Sequence, residues 1–162
     1  MMDQPMNAPR RLPIGAEVVS GGGAHFRVWA PKRRQVDVVL QGSRAISVSL
    51  QSSRDGYFAG FVPQAGAGDL YRFRLDGKDE FPDPASRFQP EGPHGPSQLI
   101  DPTQFPWKHN TWRSMKLRGQ VIYEMHIGTF TSKGTWAAAA ERLPRLAEGG
   151  ITLLEVMPVA DF

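Results

Sequence analysis

The sequence predicts an antiparallel β-sandwich followed, after a proline-rich stretch, by a β-α-β unit with parallel strands. Three observations predict it. Short runs of alternating apolar and polar residues recur between His25 and Gly77, each bounded by turn residues. Residues 78–118 then lose all periodicity while keeping many prolines and aromatics. From Val121 the pattern changes to a strand, a helix and a continuous apolar strand.

Taken in order, residues 1–15 hold Pro5, Pro9 and Pro13 among few apolar side chains and predict a mobile arm. The glycines at 21–23 predict a turn; a strand follows them where a phosphate cradle would open a helix. HFRVWAP (25–31) sets Phe26 and Val28 against His25 and Arg27, and VDVVLQ (36–41) puts Val36, Val38 and Leu40 on one face. AISVSL (45–50) alternates Ile46, Val48 and Leu50 with serines. GYFAGFV (56–62) follows an Asp55-Gly56 turn, and LYRFRLDG (70–77) sets Tyr71, Phe73 and Leu75 against Arg72 and Arg74.

In residues 78–118, Pro82, Pro84, Pro90, Pro93, Pro96, Pro102 and Pro106 oppose regular structure. Phe81, Phe88, Phe105, Trp107 and Trp112 nevertheless require a surface to pack on, which a free linker would not offer. VIYEMHIG (121–128) then predicts a strand, TWAAAAERLPRLAEG (135–149) a helix, and ITLLEVMPV (151–159) a buried strand. Thr135 is the expected N-cap and Gly149-Gly150 the stop. Trp136, Ala140, Leu143 and Ala147 form the expected apolar stripe, and Pro144 is expected to kink the helix or mark a turn.

Composition narrows the function classes. The 162 residues suffice for one domain and part of another, and 40% apolar residues supply a core. A net charge of +3, with basic and acidic residues interspersed, gives no basic face, so nucleic acid is not an expected partner. The absence of Cys excludes disulfides and thiolate metal sites. No His, Asp or Glu cluster has metal-ligand spacing and no Ser-His-Asp arrangement is visible, so neither metal nor cofactor is expected. The first residues lack the apolar core of a signal peptide and no apolar run is long enough to span a bilayer. The expectation is a cytoplasmic protein with no membrane partner.

Four pieces carry a family resemblance: FRVWAP (26–31), YRFRLDG (71–77), FPDPASRFQPEGPHGPSQLIDP (81–102), and VIYEMHIGTFTSKGTW (121–136) with GITLLEVMPVADF (150–162). Together they resemble the N-terminal region of the α-amylase-like glycoside hydrolases of family 13. The third piece points within them to the trehalose-releasing branch. The resemblance implies an all-β early-set, immunoglobulin-like sandwich of the CBM48 kind over 16–100, after the arm at 1–15. A joint follows over 101–118, and then, over 119–162, the first β-α-β unit of a (β/α)8 TIM barrel, truncated after strand two.

The implied activity is hydrolysis of the α-1,4 bond beside the trehalose end of a malto-oligosaccharide with a terminal trehalose unit. A carboxylate nucleophile and a carboxylic general acid do this chemistry in the family. Those carboxylates belong to later barrel strands, so no catalytic residue falls within this chain and the fragment alone is expected to be inactive. Glu124 and Glu155 then read as polar positions inside the barrel rather than as a catalytic pair.

His126, Asp161 and Phe162 lie toward the substrate-facing strand ends and are the candidate substrate-binding residues, His126 having a structural role as its alternative. Trp29, Trp107, Trp112 and Trp136 are candidates for stacking on glucose rings. Against this, Trp136 is expected on the helix stripe, and Trp107 and Trp112 are expected to fasten the sandwich to the barrel. The remainder of the barrel is the partner that residues 119–162 require. Two alternatives stay open: the front of a glycogen branching or debranching enzyme, or a non-catalytic glycan-binding module.

Overall fold

The computed structural model describes residues 10–42, 45–108, 111 and 113–157. The chain divides into a first compact unit ending at Pro106 and a second beginning at Trp107.

The first unit is a two-sheet antiparallel sandwich. One sheet has the order β1-β2-β6-β5, from β1 (Gly15–Val18), β2 (Ala24–Trp29), β6 (Tyr57–Val62) and β5 (Gln51–Ser52). The other has the order β4-β3-β7-β8, from β4 (Ile46–Ser49), β3 (Val36–Gln41), β7 (Leu70–Leu75) and β8 (Glu80–Phe81). β9 (Ser97–Gln98) also pairs with β7.

The five strands expected from alternation are present. β1, β5, β8 and β9 were not expected: β5, β8 and β9 have two residues each, too few for a period to register, and β1 lies between a proline-rich start and a run of glycines with only Ala16 and Val18 as apolar alternates.

The strands form where alternation directs apolar side chains to one side. Ala24, Phe26 and Val28 from the first sheet meet Val36, Val38, Leu40, Tyr71 and Phe73 from the second, all buried in one cluster. Phe26 and Tyr71 join the sheets edge to face, with centroids 5.1 Å apart at 71°. Between β4 and β5 the chain changes sheet through a single residue, Leu50. Its side chain is buried in the core and its N–H donates to the Val36 carbonyl at 2.9 Å.

Residues 10–15 of the expected arm are tied down. The Arg10 guanidinium donates to the carbonyls of Leu12, Gly15 and His25. Residues 1–9 lie outside the described residues.

The second unit contains β10 (Ile122–Met125) and β11 (Leu153–Val156), which pair in parallel with Ile122 opposite Leu153 and Glu124 opposite Glu155. Three short helices lie between them: α1 (Ile127–Phe130), α2 (Trp136–Ala140) and α3 (Leu143–Glu148).

The strand expected to reach Gly128 ends at Met125, because the His126 side chain accepts the Gly128 N–H at 3.1 Å and opens α1. Thr135 caps α2 as expected, accepting the Ala138 N–H. The single expected helix is two helices. Pro144 sits in the first turn of α3 and has no N–H to continue the ladder from α2.

That break overturns the expected stripe. Trp136, Ala140, Leu143 and Ala147 are exposed, while Ala138 and Ala139 are buried and Leu146 is half-buried. A stripe drawn at 3.6 residues per turn fails when the phase resets between Ala140 and Leu143.

The turn between β1 and β2 yields a paired prediction. Gly23 has φ +82°, and a Cβ there would lie 2.4 Å from the Phe61 ring; Gly22 has φ +107° and open space around it. Gly23→Ala should therefore cost about 2–4 kcal/mol in urea unfolding, and Gly22→Ala only ~1–2 kcal/mol. Equal losses would show that the Phe61 contact is not what requires glycine.

Candidate functional site

The C-terminal end of the parallel pair carries the residue singled out there. His126 follows β10 directly, is exposed, and holds the first turn of α1 through Nδ1. Its Nε2 is thereby left as the N–H side of a neutral ring, which can donate to a hydroxyl or carboxylate. Asp161 and Phe162 lie outside the described residues, as does Trp112. Glu124 and Glu155 are direct partners on one face of the strand pair, and both are exposed.

Both faces of this pair show apolar surface. Val121, Ile122, Tyr123, Val156 and Met157 are exposed. Among the described residues of this unit, only Met125, Ala138 and Ala139 are buried.

Within the sandwich, the proline-rich piece has a defined task. β8 and β9 lie in line along one edge of β7, pairing with Phe73–Arg74 and with Leu70–Tyr71 respectively. Residues 82–96 make an excursion between these two halves of an interrupted edge strand.

The excursion is closed at its base. Asp83, only 2% exposed, accepts the Tyr71 hydroxyl at 2.7 Å and the Ala85 N–H at 2.8 Å, while its own N–H donates to Ser97 Oγ at 2.9 Å. Burial pushes the Asp83 carboxyl above the usual range and, with the Asp83 charge, raises the Tyr71 phenol as well.

The excursion then crosses to the opposite sheet. Arg87 donates to the Ala16 carbonyl of β1 at 3.1 Å, and Gly15 comes so close to Ala85 that a Cβ would meet its carbonyl oxygen at 3.0 Å. Gln89 spans its tip, donating to Pro93 O at 2.8 Å, and Arg72 of β7 holds His94 O at 2.8 Å. The piece that carried the narrowest part of the resemblance therefore closes one side of the sandwich.

A second polar cluster sits under the other side of β1. Glu17 is 5% exposed, ion-paired to Arg10 at 3.6 Å and to Arg11 at 3.6 Å. Arg10 lies 2.7 Å from His25 Nδ1 and donates to it, which requires the neutral ring. Burial lowers the His25 pKa, and the Arg10 charge lowers it further. An open cavity of 680 Å³ adjoins this cluster, with Asp101 and Thr103 on its rim.

The four tryptophans separate by environment. Trp136 is 59% and Trp107 71% exposed, in the second unit. Trp29, at the end of β2, is 56% exposed, with its Nε1–H on the Asp55 carbonyl at 3.3 Å. Sequence reasoning missed Arg27, Asp55 and Tyr57 around it, although alternation already put Arg27 on the face of Trp29.

No group of three or more His, Cys, Asp or Glu that could hold a metal ion occurs among the described residues. No helix among them is long and apolar enough to cross a membrane.

The sandwich coincides with a known family. Residues 13–102 match carbohydrate-binding module 48, the isoamylase N-terminal domain. The chain belongs to the carbohydrate-binding module 48 family.

Likeness extends past the module. A malto-oligosyltrehalose trehalohydrolase of Deinococcus radiodurans is 42% identical over 153 residues, covering 94% of this chain and 25% of the relative. A 1,4-alpha-glucan branching enzyme of Xanthomonas oryzae is 32% identical over 171 residues, covering 91% of this chain and 23% of the relative. A crystal structure of a Salmonella typhimurium protein assigned to the alpha amylases superposes with a TM-score of 0.83 at 40% identity, covering 93% of this chain and 25% of that one. The chain thus spans about a quarter of the length of the curated relatives it matches.

The two buried polar clusters of the CBM48 sandwich give it opposing pH dependences. The lowered His25 pKa supplies stability above the ordinary histidine value that is lost as pH falls through the folded value. The raised Asp83 pKa supplies stability below the ordinary aspartate value that is lost as pH rises through the folded one. Between pH 7 and pH 5 the two contributions run against each other, so His25 is isolated by comparison: relative to the parent, His25→Asn, which keeps an acceptor for Arg10, should lose less melting temperature, or gain more, as pH falls from 7 to 5. An unchanged slope in the variant would remove His25 as its cause.

Proposed function

We propose that this chain is the N-terminal part of a malto-oligosyltrehalose trehalohydrolase. The complete enzyme would hydrolyse the α-1,4-glucosidic bond beside the trehalose end of maltooligosyl trehalose and release trehalose. The observation that carries the reading is the 42% identity to a trehalohydrolase over 153 residues, which runs through both units rather than stopping at the shared module. The family description alone would leave the reaction open.

In this reading residues 16–100 are the early-set sandwich, 101–118 the joint, and 119–162 the first strand, helix and second strand of a (β/α)8 barrel. The parallel pairing of β10 with β11 supports the barrel start. So does the exposure of apolar residues on both faces of those strands, since a two-stranded parallel sheet is not stable without cover. The remaining barrel supplies that cover, and its later strands supply the nucleophile and general acid.

What this chain contributes to the substrate cleft is confined to the C-terminal strand ends. His126, Asp161 and Phe162 are the candidates there, His126 through its outward Nε2–H. Its capping bond to Gly128 fixes the ring, which makes it a positioned donor instead of a mobile one.

The branching-enzyme reading is the second one, supported by the 32% identity to the Xanthomonas oryzae enzyme. The native gene product, purified from source cells, decides between them. Trehalose release from maltooligosyl trehalose supports the first reading; a shift in iodine staining of amylose without trehalose release supports the second. The 162-residue chain by itself should do neither.

Limited proteolysis of the 162-residue chain gives a further check. Sites within residues 119–157 should be cut about tenfold or more faster than sites within the sandwich. Equal protection would mean that the parallel pair is stable without further strands and would weaken the barrel reading.

A further inference from the structure

The segment before β1 is tied to the first sheet chiefly by one side chain, which the hydrolase reading leaves unused. Arg10 Nη2 donates to the Gly15 carbonyl at 2.7 Å and Nε to the Leu12 carbonyl at 3.2 Å. Nη1 reaches His25 of β2 twice, at the carbonyl (3.0 Å) and at ring Nδ1 (2.7 Å). Residues 10–14 thereby form a strap fastened to β1 and β2.

The ring end of this tie works in one protonation state. A guanidinium has donors only, so Nδ1 must accept, and an imidazolium has no lone pair with which to do so. Protonation of His25 would set two N–H donors and two positive charges 2.7 Å apart. Arg27, two residues along β2 on the same face, adds a further charge of that sign.

A partner for the charged ring is already in place. Glu17 of β1 stands directly opposite His25 in the strand register and is buried. Its Oε1 accepts the Arg11 N–H at 3.2 Å, but its Oε2 has no hydrogen bond, Arg10 Nη2 being 3.6 Å away. The other charged groups around the ring are Arg11, exposed and paired with Glu17, and Asp101 across the open cavity. β6 presents Phe61 opposite His25, and Ser49, Gln51, Ser52 and Ser53, which share a hollow with the ring, carry no charge.

We propose that residues 10–14 are an acid-released strap: a proton taken from solvent at His25 Nδ1 transfers the Glu17 carboxylate from Arg10 to the imidazolium, and Arg10 leaves the sheet with the segment that carries it. The two states differ in named contacts. With the ring neutral, Arg10 has its four acceptors and one Glu17 oxygen lacks a donor; with the ring charged, that oxygen gains an N–H and the Arg10 bonds are given up. Burial and the Arg10 charge hold the His25 pKa down, which puts the release on the acid side of the ordinary histidine value. Release opens the 680 Å³ cavity that Arg10 and Arg11 line with Asp101 and Thr103. The inference rests on the sandwich and not on the hydrolase reading.

The test is an NMR titration of the isotope-labelled 162-residue chain from about pH 7 to about pH 4, following the His25 ring, the Arg10 Nε–H and the Arg11 amide. The Val38 amide, on β3 of the other sheet, reports that the sandwich stays folded. The expected result is one shared midpoint for the ring and both N–H signals. Once the ring is charged, the Arg10 Nε–H should exchange with solvent about tenfold or more faster, relative to a free arginine at the same pH. His25→Asn should abolish the transition, and Glu17→Gln, which removes the charge that receives the imidazolium, should lower the midpoint by about half a unit or more. N–H signals that stay in place while the ring is protonated, a ring still neutral at the lowest pH, a transition that persists in His25→Asn, or an unmoved midpoint in Glu17→Gln overturns the proposal. If a variant does not fold, the parent titration decides by the first two of these. A shared midpoint in a protein whose native gene product releases no trehalose keeps the strap and sinks only the hydrolase reading.

Discussion

The hydrogen bond from the buried Tyr71 hydroxyl to Asp83 is the contact on which the rest of the sandwich depends. Tyr71 packs edge to face against Phe26 of the opposite sheet and against Phe73 of its own, so its ring joins the two layers. Its hydroxyl, deep in that core, needs a partner, since an unpaired buried polar group costs about 1–3 kcal/mol. Asp83 is that partner, and Ser97 and Ala85 complete the carboxylate and its backbone. One aromatic residue thus serves the hydrophobic core and the polar anchor at once, and the excursion it anchors reaches across to β1.

The sequence showed the strands and hid the anchor, for a physical reason. A period of two is local, so Val36, Val38 and Leu40, or Tyr71 and Phe73, could be placed on the core face from neighbours alone. The Tyr71–Asp83 contact joins residues twelve apart with five prolines and a broken edge strand nearby, and no periodicity reports it. Arg10 was hidden likewise: among prolines it reads as a tail, yet its guanidinium has four hydrogen-bond acceptors, two of them on His25 of β2, fifteen residues away. In the helical region the caps at Thr135 and the break at Pro144 were legible, whereas the buried face was not, because a stripe assumes the continuity that the proline removes.

The candidate site was legible in the same uneven way. His126 could be placed near a strand end from the strand's length, but its capping role depends on where the strand stops, which is a matter of one side chain finding one backbone N–H. Trp29 could be named as a ring, and alternation put Arg27 beside it. Asp55 joins them only because the turn before β6 folds back over the end of β2. Rings are visible in a sequence; the polar groups gathered around a ring come from tertiary structure.

The interrupted edge of β7 has a further consequence, for how this protein avoids its own kind. An open sheet edge is a template on which a second chain can add a strand, the first step toward fibrils or swapped dimers. Here that edge is occupied by two dipeptide strands, β8 and β9, and the segment between them carries Pro82, Pro84, Pro90, Pro93 and Pro96, each without an N–H to offer. An incoming strand finds no continuous row of donors and acceptors, so the same segment that closes the sandwich also keeps that edge of the sheet from extending into a second molecule.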